Sequence, residues 1–355
     1  MPMTRLVQIR KGYERHVAIV EEPKLRLLAG ISSIYELAQE AISSRTKLSE
    51  LAHRMTSAEA LDYDLVYGGR SDWRILQPID VPSEPARLLI SGTGLTHLGS
   101  ARDRQGMHAQ KKSEQLSEQK KVEAAKQDSV KEEQLTDSMK MFRWGVEGGK
   151  PAAGHIGNAP EWFYKGTGTN LRAHAEPLEV PPFGEDGGEE GEIAGVYLIG
   201  PDEKPRRIGM ACGNEFSDHR FERKNYLNLA GSKLRTCALG PELVVDPDFE
   251  SVPGEVRIER DGGLLWSKKI RTGEAEMCHS LRNIEHHHFK YAGHRQPGDV
   301  HVHFFGADCL SFGEGVELKD GDVMSVRFEG FGRALVNPLR VAPRETALVT
   351  VTPLG

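Results

Sequence analysis

The sequence is short of cysteine, of charge of one sign and of long apolar runs, and each shortage removes a class of protein. Its four cysteines, Cys212, Cys237, Cys278 and Cys309, lack paired zinc-ligand spacing and are too sparse for a disulfide scaffold, so they read as reduced, buried thiols. The formal net charge of −6 mixes both signs, and no basic field invites nucleic acid. No uninterrupted apolar stretch reaches membrane-spanning length, and Met1-Pro2-Met3-Thr4-Arg5 is not followed by a signal-like apolar core. A soluble, cytoplasmic protein with no membrane partner is the expectation. No Gly-x-x-x-x-Gly-Lys-Ser/Thr stretch occurs, and Gly148-Gly149 and Gly187-Gly188 do not match a phosphate loop. Strands do not alternate with helices, which argues against a doubly wound sheet, and no internal repeat is found.

What is present suggests a small first domain and a large second one, within the reach of 355 residues. Leu6-Val7-Gln8-Ile9, Val17 to Val20 and Leu25 to Leu28 have strand-like length and content. Ser33-Ile34-Tyr35-Glu36 fits a capping box opening a helix to about Ile42, and Leu48 to Met55 reads as a second helix. Pro78, Pro82 and Pro85 mark the exit, placing a boundary near Val81 between residues 1–81 and 82–355. Residues 103–141 are rich in Lys, Glu, Gln and Ala, which predicts an exposed helical insertion, with a lid or subunit contact as the alternative. From Trp162 onward short β-rich runs dominate. They include Ile193 to Ile199, Ile208 to Cys212, Val300 to Phe305 and Val323 to Phe328. Gly262-Gly263 signals a hairpin, Asp320-Gly321-Asp322 a tight turn, and Glu276 to Tyr291 one helix.

Glu190-Gly191-Glu192 stands at the head of the apolar run Ile193 to Ile199. Side chains two apart on a strand share a face, so the two carboxylates converge. Hard oxygen donors suit Mg²⁺, Mn²⁺ or Ca²⁺ better than zinc. The competing reading is a solvated strand entry, because Glu185, Asp186 and Glu189 crowd the same loop. His286-His287-His288 cannot converge on one ion from a regular helix, since neighbours lie ~100° apart. His301 and His303 share a strand face, yet no Cys or acidic partner stands at zinc spacing.

From residue 86 to 340 a series of segments resembles the fumarylacetoacetate hydrolase superfamily in order. They are the strand and loop ending in His97, Pro160-Glu161-Trp162-Phe163-Tyr164-Lys165, Glu190-Gly191-Glu192-Ile193-Ala194 and Gly213-Asn214-Glu215-Phe216-Ser217. Leu239-Gly240-Pro241, Pro297-Gly298-Asp299-Val300 and Leu318 to Val323, with Glu329-Gly330-Phe331-Gly332 and Asn337-Pro338, complete it. The resemblance implies an α+β fold, a mixed β-roll catalytic domain preceded by a smaller α+β domain, commonly a homodimer. It also implies metal ligands Glu190, Glu192 and Glu215, the last replacing the usual Asp, with Mg²⁺ or Mn²⁺ as cofactor. Lys233 falls where the family places its active-site lysine. Lys165, Ser217 and Arg220 are the matching substrate-side candidates, and His97 a candidate for proton transfer.

Within the superfamily the chain is similar to the 2-keto-3-deoxy sugar-acid dehydratases. Hydrolases and decarboxylases of the family carry Glu three residues after the loop histidine, where this chain has Ser100, which cannot activate water as that Glu does. His303-Phe304-Phe305 replaces the family's Thr-Gly-Thr substrate loop. The resemblance thus implies a metal-dependent hydro-lyase acting on a 2-keto acid, a pentonate first, through a metal-stabilised enolate. Acylpyruvate hydrolysis or oxaloacetate decarboxylation is the second expectation, and a non-catalytic sugar-acid binder the third.

Overall fold

Apolar residues in the first three strands point both ways, and both faces are covered. In the computed structural model, which describes residues 3–105, 136–345 and 347–355, strands Arg5–Lys11, Glu14–Glu21 and Lys24–Leu28 form consecutive antiparallel pairs. Leu6, Val17, Ile19 and Leu28 pack with Ile34, Leu37 and Leu51 of helices Ile34–Ser43 and Leu48–Arg54. Val7, Ile9, Ala18 and Leu25 pack on the other side with Tyr63 and Val66 of helix Tyr63–Tyr67. Ser33 caps the first helix, its hydroxyl accepting from Glu36 N–H at 3.1 Å. The reciprocal half of the expected box is displaced by one residue: Glu36 Oε2 accepts from Ser32 N–H at 2.9 Å.

These strands run on into one large sheet. Strand Arg5–Lys11 pairs with Leu243–Val244 through Arg5 with Val244 and Leu6 with Leu243. The order then continues through Pro205–Asn214, Gly191–Ile199, Val300–Phe304, Leu88–Gly92 and Phe163–Thr167. A second sheet comprises Gly263–Thr272, Val252–Arg260, Val323–Phe328, Leu335–Val341 and Leu178–Val180. Ile193, Tyr197 and Met210 of the first sheet meet Val256, Val326 and Phe328 of the second in a shared core. Ala194, Val196 and Leu198, on the opposite face of the same strand, join the core under the first two helices. Every residue of Gly191–Ile199 is buried, as a central strand requires.

Two expected boundaries shift for identifiable reasons. The hairpin turns at Asp261-Gly262, with φ of 52° and 76°, and Gly263 already begins the return strand. The helix expected over Glu276 to Tyr291 forms only at Leu281–Phe289. Before it, Cys278 N–H donates to Thr96 O and Ser280 N–H to Gly149 O, while Ser280 caps Asn283, so those backbone groups serve other segments. Of the charged stretch at 103–141, residues 106–135 lie outside the described residues. It is entered from a helical run at 98–105 and left through helix Asp137–Gly148. No helix among the described residues is long and apolar enough to cross a membrane.

Candidate metal centre

Glu190 and Glu192 flank Gly191 at the entry to strand Gly191–Ile199, and Glu215 follows its antiparallel neighbour Pro205–Asn214. Alternation turns the two glutamates to one face and Gly191 to the other. There a Cβ on Gly191 would lie 2.5 Å from Val256 Cγ2, so the residue between the acids has no room for a side chain. Glu215 N–H donates to Glu190 O at 2.9 Å, which sets those two acids side by side. Phe216 next takes φ of 43°, a left-handed conformation costly for a bulky residue, and so turns the chain sharply after Glu215. One oxygen from each carboxylate lies within 4.8 Å of the others, and all three residues are buried. No other group of His, Cys, Asp or Glu with this spacing exists among the described residues.

Two lysines with no solvent exposure reach this cluster. Lys233, ending helix Leu229–Lys233, donates to Glu190 Oε1 at 2.6 Å, to Ser217 Oγ at 2.8 Å and to Glu215 Oε2. Ser217 Oγ in turn donates to Glu215 Oε2 at 3.0 Å. Lys165, on strand Phe163–Thr167, pairs with Glu215 Oε1 at 2.6 Å and donates to Phe216 O. The two sequence segments that carry these lysines therefore meet at a single carboxylate.

The three acids are electrostatically unlike. Burial raises the Glu190 carboxyl, but Lys233, His219 and Arg104 outweigh it and hold it well below the usual carboxylate range. For Glu192 burial, Glu215 and Glu190 all act together to push it well above that range; Gly306 N–H, donating at 2.7 Å, opposes them. Burial also lowers Lys165, with Glu215 offsetting only part. Lys233 is raised despite burial, because Glu190 and Glu215 both hold its proton. A buried carboxylate that its neighbours force to stay protonated is poised for a cation. Three hard oxygen donors so crowded fit a divalent ion of the Mg²⁺ or Mn²⁺ type.

The remaining expected residues are placed differently. His97 is buried, with Nδ1 2.8 Å from Thr96 Oγ1 and Nε2 3.1 Å from Thr272 Oγ1. Thr96 donates its own proton to Phe305 O, so Nδ1 carries the imidazole hydrogen and Nε2 accepts from Thr272. Burial lowers the His97 pKa to about 4, leaving the ring neutral. It lines a cavity of about 810 Å³ with Lys269, Arg271 and Arg327, and none of the three glutamates lines that cavity. Arg220 is 40% exposed and ion-paired with Glu317. The residue before it faces inward instead: His219 Nε2 lies 3.1 Å from Glu190 Oε1, because neighbours on helix His219–Lys224 diverge by ~100°.

His219, Arg104, Glu161 and Glu222 were not legible as site residues. Arg104 is 2% exposed, pairs with Glu161 at 2.8 Å and lies 3.4 Å from Glu222. The usable signal was Asp218, which caps the helix by accepting from Phe221 N–H at 2.9 Å and so sets its register. Gly188 also has a reason beyond phosphate binding, since a Cβ there would lie 2.2 Å from His219 Nδ1. Glu189, crowded beside Glu190 in sequence, is spent on Ser311, whose N–H and hydroxyl donate to it at 2.8 and 2.6 Å. His288 packs its ring against those of His301 and His303. Trp162 Nε1 donates to His288 Nδ1 at 3.2 Å, and His288 Nε2 lies 2.9 Å from His301 Nδ1.

The two packed sheets match the fold of a solved fumarylacetoacetate hydrolase, and the buried three-carboxylate cluster of this chain sits at a strand entry within that fold. A solved structure similar to it is a 2-keto-3-deoxy-D-arabinonate dehydratase complexed with magnesium and 2,5-dioxopentanoate, at 18% identity over 96% of this chain and 100% of that one, TM-score 0.66. Another is a fumarylacetoacetate hydrolase from Exiguobacterium antarcticum, at 16% identity over 96% and 100%, TM-score 0.58. A third is a 5-carboxymethyl-2-hydroxymuconate delta-isomerase from Mycobacterium smegmatis, at 16% identity over 95% and 100%, TM-score 0.54. No protein-family model and no curated protein sequence matches the chain.

Proposed function

We propose that this chain is a magnesium-dependent dehydratase of a 2-keto-3-deoxy sugar acid, with a pentonate as its first candidate substrate. The observation that carries the reading is the buried cluster Glu190, Glu192 and Glu215, in which Lys233 bonds Glu190 and Glu215 and Lys165 bonds Glu215. The likeness to a dehydratase structure holding magnesium and a dioxo acid supports the choice of chemistry. Bound by the three glutamates, magnesium would supply Lewis-acid polarisation of a 2-keto oxygen.

The chain's own groups handle the protons. Burial alone favours the neutral amine of Lys233, and Glu190 and Glu215 hold it charged. A ligand that takes up the charge of those carboxylates therefore frees the amine to accept the C3 proton. Ser217, bonded to both Lys233 and Glu215, fixes the direction of the amine. We assign Lys165, which pairs with Glu215 at 2.6 Å, to the substrate carboxylate once a bound cation shares the charge of that glutamate. The C3 electron pair then forms the C3=C4 bond as the C4–O bond breaks, and the hydroxyl leaves as water with the proton that Lys233 took from C3. Ser100 favours this route over hydrolysis, because its hydroxyl donates to His97 O at 3.3 Å and offers no carboxylate base.

Incubation with 2-keto-3-deoxy pentonates and hexonates, with magnesium and after EDTA treatment, tests the reading. Metal-dependent dehydration without release of pyruvate is expected. No loss of substrate in either series sinks it, and pyruvate from acylpyruvates or oxaloacetate moves the chemistry to carbon–carbon cleavage. Binding without turnover, unchanged in Glu192→Gln, would point to a sugar-acid binder.

A further inference from the structure

Glu222 is 1% exposed, and no group among the described residues hydrogen-bonds to either of its carboxylate oxygens. A buried acceptor in that state is costly unless something donates to it. It stands one turn after His219 on helix His219–Lys224, so the helix face that carries His219 to Glu190 also carries Glu222 inward. Its ionic neighbour Arg104 lies 3.4 Å away, and His219, three residues earlier on the same helix, lies 3.1 Å from Glu190, so Glu222 stands beside the metal centre.

The buried cations around the three glutamates are already engaged. Lys233 serves Glu190 and Glu215, Lys165 serves Glu215, Arg104 donates to Glu161, and Arg235 donates to Asp218 at 2.7 Å. Glu161 is further occupied by Tyr226, whose hydroxyl donates to it at 2.9 Å. A second carboxylate on a ligand would thus find each of these cations already facing an acid, and would meet Glu222 as well. A hydroxyl would meet an acceptor with open lone pairs.

We propose that Glu222 determines substrate specificity: it accepts a hydrogen bond from the terminal hydroxyl of the substrate and rejects 2-keto acids with a second carboxylate at that end. The inference rests on the 2-keto acid reading above and narrows it to hydroxylated monoacids. Such discrimination is effective because a site built to bond a hydroxyl leaves its own polar group unpaired when that hydroxyl is missing.

Calorimetric binding to the magnesium-loaded protein tests this with ligands that have no C4 hydroxyl to lose: pyruvate, 2-oxopentanoate, 5-hydroxy-2-oxopentanoate and 2-oxoglutarate. The wild-type protein should bind the 5-hydroxy acid about tenfold or more tightly than either 2-oxopentanoate or 2-oxoglutarate. Glu222→Leu, which removes both the acceptor and the charge at similar size, should keep the affinity for pyruvate while both gaps shrink to about threefold or less. Equal affinities in the wild-type protein, or gaps unchanged in the variant, overturn the proposal. If the variant melts before it can be titrated, the wild-type comparison decides alone. Failure of the wild-type protein to bind pyruvate overturns the 2-keto acid reading itself, a different result from binding without preference.

Discussion

Glu192 has the least support of the three acids. Where Glu190 has Lys233 and His219, Glu192 receives one backbone N–H from Gly306 and faces two like charges. Its raised pKa means that the metal-free folded protein holds a proton there which the unfolded chain would release above the ordinary carboxylate range. Metal-free stability should therefore fall as pH rises from about 4.5 through the raised value. A cation must displace that proton, so affinity should weaken on acidification. Manganese titrations in buffers of different ionisation enthalpy should reveal proton release at neutral pH. Glu192→Gln should abolish the release and weaken binding at least tenfold; an unchanged buffer dependence would place the displaced proton elsewhere.

At the scale of elements, strand Gly191–Ile199 couples packing to chemistry. Gly191→Ala puts a methyl against Val256 and Val326, and overpacking of this kind costs about 1–3 kcal/mol. Urea unfolding should register that loss. Metal affinity should fall as well, since the strand entry that carries both acids must shift. Ser33→Ala, at the start of helix Ile34–Ser43, removes one cap bond and should cost about 0.5–2 kcal/mol with metal affinity unchanged.

The same scale shows what was legible. Runs such as Val17 to Val20 and Ile193 to Ile199 announced strands, because burial on both faces selects branched and apolar residues throughout. Glu190 and Glu192 were readable from their spacing, and Glu215, Lys165 and Lys233 only from the order of the motifs. Arg104 and Glu222 were hidden, because their approach depends on the rotation of two short helical segments that no local pattern fixes. His219 was missed for Arg220 by one residue, the smallest error that turns a helical side chain away from its target.

At the scale of the whole molecule, several buried histidines stand as neutral rings. Burial lowers His97, His174 and His279 to about 4, and His301 and His303 to about 3, with neighbouring histidines adding to the effect in the last two. Above pH ~6.5 neither the folded nor the unfolded chain protonates them. Below it the unfolded chain takes up protons first, so stability should drop progressively from pH ~6.5 toward 4. Melting temperatures across that range check the sign. His301→Leu should flatten the slope, although it leaves the buried His288 Nε2 without the His301 Nδ1 that lies 2.9 Å from it, at a cost of about 1–3 kcal/mol.

The pairing of Arg5–Lys11 with Leu243–Val244 bears on how the chain is made. A ribosome releases the first strands long before Leu243 and Val244, so the hairpins at the start can zip up early while one edge of their sheet stays open. That edge exposes unpaired backbone groups of the kind that recruit other chains. Synthesis slowed between these two strands would lengthen the exposure, and newly made protein stalled there should depend more heavily on chaperones that shield nascent β-structure.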